Sequence, residues 1–303
     1  MNRILPISLI VFALCLPLAC AKTGGPTTDG LRIAVSIYPL QDLTRQITGG
    51  RMDVFHLVPA GANPHHFEPP PSMIRQLQGT DLFVGVHPDF DGWIETLLPA
   101  GTPRMYLHPD SNRPKTAAAD SSGTDAGFNP HFWLSVCTVR DVLPRLTRAL
   151  CRADTLSCGA FRRNLEHYQS RLDSLDLAIR NRLEPFRNAA FIQWHPAWDG
   201  FAADYGLRIT ATLEHGHGEV LPARSFHRVI RQAREQDVRL VVIGLNTESR
   251  TADALVRELD GRLLRLDALG GPDTLEGNTY VNLMSHNARL LAETLGEMRG
   301  RHE

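Results

Sequence analysis

The stretch that decides the fold is Gly159 to Glu184, GAFRRNLEHYQSRLDSLDLAIRNRLE. Phe161, Leu165, Tyr168, Leu172, Leu175 and Ile179 recur at spacings of three or four, which predicts one uninterrupted amphipathic helix closed by Pro185. At 1.5 Å per residue such a helix would run about 39 Å, enough to cross a whole domain. On either side of it the chain repeats one scheme. Before it, short apolar runs at Leu31–Ile37, Val54–Val58, Asp81–Val86 and Arg104–Leu107 alternate with helical patterns at Leu40–Ile47, Met73–Leu77 and Trp93–Leu98. After it, runs at Ala189–Trp194, Arg208–Leu213, Arg239–Leu245 and Arg262–Leu266 alternate with Ala223–Gln236, Thr251–Leu259 and Thr279–Met298. Strand–helix alternation predicts parallel sheets covered by helices on both faces. The fold class is therefore α/β, with two lobes of about four strands each, and the helix is the spine between them.

The expected organisation is an N-terminal signal over 1–20, a tether over 21–30, a first lobe over 31–158, the linking helix over 159–187 and a second lobe over 188–303. Arg3 followed by the apolar run Ile4 to Leu16 reads as an export signal. The run is too short, and too interrupted by Pro6 and Pro17, for a stable membrane span. Its end, Leu16-Pro17-Leu18-Ala19-Cys20, resembles a bacterial lipoprotein signal, which would leave Cys20 as a lipid anchor, although Pro17 departs from the usual Leu-like residue. Residues Ala21 to Gly30 (AKTGGPTTDG) are small and polar, as a flexible tether would be. Pro109 to Gly127 is low-complexity and reads as a surface loop of the first lobe. Export also places Cys151 and Cys158, which flank a short polar turn, where a local disulfide can form, with Cys137 left as a buried thiol.

Composition narrows the chemistry. The 303 residues carry 32 basic and 33 acidic side chains, a balance that speaks against duplex nucleic-acid binding. Thirteen His against five Cys fail zinc-finger arithmetic and turn attention to His with carboxylate. Ligands of open α/β sheets bind beyond the carboxyl ends of the strands. Four titratable residues follow predicted strands or the loop after one: His65 in GANPHHFEPPPS, His131 in NPHFWLS, His195 in FIQWHPAW and Asp267 in RLDALGG. Three imidazoles and a carboxylate are a complete donor set for a borderline divalent metal such as Zn²⁺. Individually each has an ordinary structural explanation; Asp267, for one, could cap the turn Ala268-Leu269-Gly270. The loop Glu214-His215-Gly216-His217-Gly218-Glu219 is a candidate accessory metal site, because His215 and His217 at i, i+2 share a side of an extended loop. The proline-rich segment around His65 excludes a regular helix and leaves His66 facing away.

These segments resemble a known family. NPHHFEPPPS, NPHFWLS, WHPAWDGFAADYGL and LDALGG…GNTYVNLMSHNARLL are similar to the signature segments of the zinc/manganese-binding lipoproteins of ABC transporters (ZnuA/TroA type, cluster A-I), and the likeness covers essentially all of 31–300. The resemblance implies two α/β lobes joined by a rigid helix, one metal in the cleft, and a membrane permease as partner, with the protein monomeric and held to the membrane only through its lipid. It maps the ligands onto His65, His131, His195 and Asp267. His at the third position favours Zn²⁺, where manganese binders often carry Glu; the absence of a His-rich loop over 109–127 points the other way. Met73 stands where an acidic residue is usual and reads as a surface change. The expected function is capture of a divalent metal, Zn²⁺ first and Mn²⁺ or Fe²⁺ as alternatives, in the periplasm or at the cell surface, for delivery to the permease. A zinc hydrolase finds little support, with neither H-E-x-x-H nor G-x-S-x-G in the chain, and a surface adhesin is a third reading.

Overall fold

In a computed structural model, residues 30–109, 129–214, 222–247, 249–274 and 276–300 are described. The first lobe carries strands β1 (Arg32–Val35), β2 (Asp53–His56), β3 (Leu82–Gly85) and β4 (Arg104–Tyr106), all parallel in the order β2-β1-β3-β4. The second carries β5 (Ala190–Gln193), β6 (Arg208–Thr212), β7 (Leu240–Gly244) and β8 (Arg262–Leu266), again parallel, in the order β6-β5-β7-β8. The central strands are continuous apolar runs such as Leu82-Phe83-Val84 and Leu240-Val241-Val242-Ile243, all buried, because parallel strands are covered on both faces. In each sheet the strand order reverses beside the first strand of the lobe, so each lobe opens a crevice at its carboxyl edge.

The helices follow the predicted alternation with some differences. α1 (Tyr38–Thr48) ends on Gly49 at φ 63°, a left-handed conformation that suits glycine, and a Cβ there would meet the Asn164 side chain at 2.9 Å. α2 (Ser72–Leu77) is short, and the Trp93–Leu98 pattern forms only a 3₁₀ turn at Gly92–Ile94 followed by turns, not a helix. Met73 is 4% exposed, packed with Leu57, Leu77, Phe83 and Ile94; the substitution read as superficial fills the core under β3. α3 (Val136–Ala153) starts on Ser135, whose hydroxyl accepts the Thr138 N–H, and continues through Pro144. α4 (Cys158–Leu183) is the predicted spine, 26 residues long, with Phe161, Tyr168, Leu172, Leu175 and Ile179 buried along one stripe; Pro185 stops it in a 3₁₀ turn. α5 (Asp199–Asp204), α6 (Ala223–Glu235), α7 (Arg250–Glu258) and α8 (Tyr280–Arg299) complete the second half.

The lobes share their largest core, while smaller clusters around Phe83 and Met73 in the first and around Ile192 and Ile243 in the second stay within one lobe. One apolar cluster runs from Ile33, Val84 and Leu143 of the first lobe through Tyr168 and Leu175 of α4 to Val242, Leu264 and Met284 of the second. Polar ties cross as well. The Tyr280 N–H donates to Asp42 Oδ2 at 2.8 Å, the Tyr38 hydroxyl to the Asn278 carbonyl at 2.8 Å, and the Ser135 hydroxyl to Asp204 Oδ2 at 2.6 Å. The sulfurs of Cys151 and Cys158 are bonded. Cys137 is half-buried and not fully buried, with its thiol against Asp176 and Arg180. Among the described residues no helix is long and apolar enough to cross a membrane.

Candidate metal centre

Three of the four residues singled out from sequence meet in the interlobe cleft. His65 lies after β2, in a single 3₁₀ turn over Pro64–His66 and not in an extended segment; proline starts the turn and Asn63 Oδ1 accepts the His65 N–H at 2.9 Å. His131 precedes the 3₁₀ turn Phe132–Leu134 that leads into α3, and His195 follows β5 after one residue. Their Nε2 atoms stand 3.1 Å (His65–His131), 3.1 Å (His65–His195) and 3.2 Å (His131–His195) apart. The rings are held from behind. Phe90 packs edge-on to His65 and Trp133 lies against His131. The Trp133 indole N–H in turn donates to the Ala268 carbonyl at 2.7 Å, across the cleft.

The far nitrogens of two rings fix which nitrogen faces the centre. Asn129 donates its amide to the Pro196 carbonyl and to Asp199 Oδ2, both at 3.0 Å, so its Oδ1 is left to accept from His131 Nδ1 at 2.7 Å. Glu214 Oε1 lies 3.2 Å from His195 Nδ1, and a carboxylate can only accept. Both Nδ1 atoms therefore carry a proton, and both rings turn Nε2, the nitrogen left for a ligand bond, toward the common centre. Burial, then the neighbouring His195 and His65 imidazoles, hold the His131 pKa well below the usual range, so this ring stays neutral. The Nε2 triangle has a circumradius of about 1.8 Å, so an ion at the usual zinc–imidazole distance would sit about 1 Å above its plane, with a fourth direction open.

Asp267 follows β8 and lines the same cleft of about 540 Å³, but it does not join the cluster formed by the three His. Its Oδ1 accepts the Leu269 and Gly270 N–H groups, each at 2.9 Å, which is the turn-capping alternative that its sequence allowed. Its Oδ2 accepts no hydrogen bond from the described residues. His215 and His217 lie outside the described residues, as does Cys20. Sequence reasoning missed the work of Glu214 and Asn129. Glu214 was noted only as a flank of the His215–His217 loop, although it stands two residues beyond β6 and so met the same positional test as the ligand candidates. Asn129, two residues before His131, carries no signal in a single sequence.

The family described as zinc-uptake complex component A, periplasmic, matches residues 33–294. Relatives include the zinc-binding lipoprotein AdcA of Streptococcus pneumoniae, 25% identical over 306 residues that cover 95% of this chain and 60% of that protein. Another is the high-affinity zinc uptake system protein ZnuA of Bacillus subtilis, 24% identical over 309 residues, 95% and 97% of the two chains. This chain thus spans about 60% of the length of the streptococcal relative. Among solved structures, a crystal structure of ZnuA superposes with a TM-score of 0.75 at 23% identity, covering 88% of this chain and 99% of that one. The solute-binding protein FpvC of Pseudomonas aeruginosa in complex with Ni²⁺ gives 0.74 at 24% identity, covering 89% and 98%. These likenesses establish the two-lobed fold.

Proposed function

The chain belongs to the family of periplasmic zinc-uptake component A proteins, and from that premise we propose that it captures a divalent metal ion, Zn²⁺ in the first place, outside the cytoplasmic membrane and delivers it to an ABC permease. His65, His131 and His195 are the proposed imidazole ligands, and Asp267 the fourth, through Oδ2. The observation that carries this reading is the convergence of three Nε2 atoms within 3.2 Å of one another, two of them on rings whose Nδ1 is engaged from behind. An all-nitrogen trio suits zinc, while a carboxylate-richer set would suit manganese. Solved neighbours of the same fold hold Ni²⁺, Mn²⁺ and zinc, so Mn²⁺ is the alternative cargo. The proposed layout adds an export signal over 1–20, lipid on Cys20 and a tether over 21–30, ahead of a monomeric two-lobed body.

Capture follows from the donors. A fourth protein ligand closes the coordination sphere and suits holding the ion, where hydrolysis would need that position for water. Asp267 is poised for either outcome: it lines the cleft, and its Oδ2 would have to swing onto the ion while Oδ1 keeps its turn. Protons compete for the same lone pairs, so affinity falls as pH drops through the imidazole range. Elemental analysis of protein purified without added metal tests the proposal. One equivalent of zinc is expected, shifting toward manganese in His195→Glu. Manganese or iron in the parent would overturn the zinc assignment, and a chain that retains no metal on titration would overturn the site.

A further inference from the structure

The opposite end of the first lobe carries a feature that metal capture does not use. At the α3–α4 turn, Arg148, Arg152 and Arg162 are exposed and line a groove of about 550 Å³ together with Thr147 and Thr155. None of the three guanidinium groups forms an ion pair or hydrogen bond among the described residues, whereas many arginines elsewhere are paired, as in Arg140 with Asp173 and Arg262 with Glu297. The apolar lining of the groove comes from Pro144, Leu165 and the Cys151–Cys158 bridge. At the tip of the turn Leu156 is 98% exposed, far beyond the other exposed large apolar side chains, which reach 59% at most. The one acid in the turn, Asp154, is engaged, its Oδ1 accepting the Ser157 N–H at 3.1 Å.

The position of this end matters. α3 starts beside the metal centre and ends here 18 residues later, about 27 Å away. Gly30, the first described residue, abuts the Arg51 carbonyl. The Asn164 amide, near the start of α4, donates to the Ile47 carbonyl at 2.9 Å, which places the end of α1, and with it Arg51 and Gly30, at the same end as the turn. Gly30, which leads into β1, therefore lies at the end of the lobe that carries the arginine groove.

We propose that the α3–α4 turn is a foot that rests on an anionic lipid surface, with lipid phosphates between Arg148, Arg152 and Arg162 and the Leu156 side chain in the interface. Unpaired arginines supply attraction to anionic headgroups, and a fully exposed leucine beside them supplies an apolar anchor. The contact does not depend on a lipid at Cys20, and while the foot rests on the surface the metal centre, at the other end of α3, lies about 27 Å along that helix from it.

The test is sedimentation of the chain from Ala21 onward, without the apolar run Ile4 to Leu16 and without Cys20, with vesicles of phosphatidylcholine, with and without phosphatidylglycerol, so that neither signal nor lipid contributes. The parent should partition preferentially onto the anionic vesicles and leave them as salt rises. Combining Arg148→Ala, Arg152→Ala and Arg162→Ala should weaken partition about 100-fold, about fivefold per arginine. Leu156→Asp should weaken it further, with zinc stoichiometry intact in all forms as the sign of a folded body. Equal partition onto neutral and anionic vesicles, or a triple variant that binds like the parent, overturns the foot. Release of the parent from anionic vesicles by a low concentration of polyglutamate would reassign the groove to an acidic protein partner and also overturns it. Fatty-acid labelling of the full chain, with its signal and Cys20 present, tests the anchor separately, so that either idea can fail without the other.

Discussion

Truncating Glu214 to alanine should weaken zinc binding 10- to 100-fold without removing a ligand. Its Oε1 stands 3.2 Å from His195 Nδ1, on the side of the ring away from the cluster, and its side chain is 12% exposed. Three effects are lost together: the acceptor that keeps the proton on Nδ1, the contact that fixes the ring plane, and the negative charge that raises the basicity of Nε2. Removal of such an outer partner of a metal-bound histidine typically costs about 1.4–2.7 kcal/mol of metal affinity. Glu214→Gln keeps an acceptor oxygen and loses only the charge, so it should fall between the parent and Glu214→Ala. Competition against a chromophoric zinc chelator at neutral pH reads both variants on one scale, with stoichiometry as a check that the site persists. Affinities within twofold of the parent for Glu214→Ala would refute the orienting role. A fall to the level of His195→Ala would mean that Glu214 is itself a ligand, and the proposed donor set would be wrong.

Asp267 separates its two roles by a pair of substitutions: Asp267→Asn can still accept the Leu269 and Gly270 N–H groups, so zinc affinity should drop at least tenfold with little change in Tm, whereas Asp267→Ala loses both. An unchanged affinity in Asp267→Asn would leave this residue a turn cap only. Asp91 is fully buried, and burial raises its pKa to about 7. A carboxyl raised in the folded state favours the protonated form, so its contribution to stability is present below the unfolded value and is lost as pH climbs toward 7, by roughly 4 kcal/mol across the window. Asp91→Asn should flatten that slope in denaturant titrations between pH 5 and about 8; a slope identical to that of the parent would show that Asp91 is ionised in the fold.

The architecture was legible in the sequence because its two periodicities are strong. The central strands β1, β3, β5 and β7 read as largely buried apolar runs, and a 26-residue stripe at spacings of three and four left one interpretation of α4. Local failures have local causes. The Trp93–Leu98 pattern has helical spacing but only enough residues for a 3₁₀ turn before Pro99. Met73 looked superficial because a short helix gives too few positions to define a face, and tertiary packing put it under β3. Of the site, the three histidines were found by asking which imidazoles stand beyond strand ends, a rule about sheets and not about metals. What escaped is the partnership between residues distant in sequence: Glu214 behind His195, and Asn129 reaching to Asp199. The first pair depends on β6 lying beside β5 and the second on where one lobe meets the other, and no window of sequence contains either.

The shared apolar core has a consequence for how the chain unfolds. Two lobes with independent interiors would melt in two steps, and metal in the cleft would stabilise each only through the contacts it makes there. Here Ile33 and Met284 belong to one continuous interior that passes through Tyr168 of the spine. Neither half can lose its part of this shared cluster without exposing the apolar surface of the other, so the body should melt as a single cooperative unit. Binding energy delivered at three nitrogen atoms is then felt as resistance to opening everywhere, including segments far from the cleft. A protease offered the loaded chain would find it harder to cut at sites that never approach the ion.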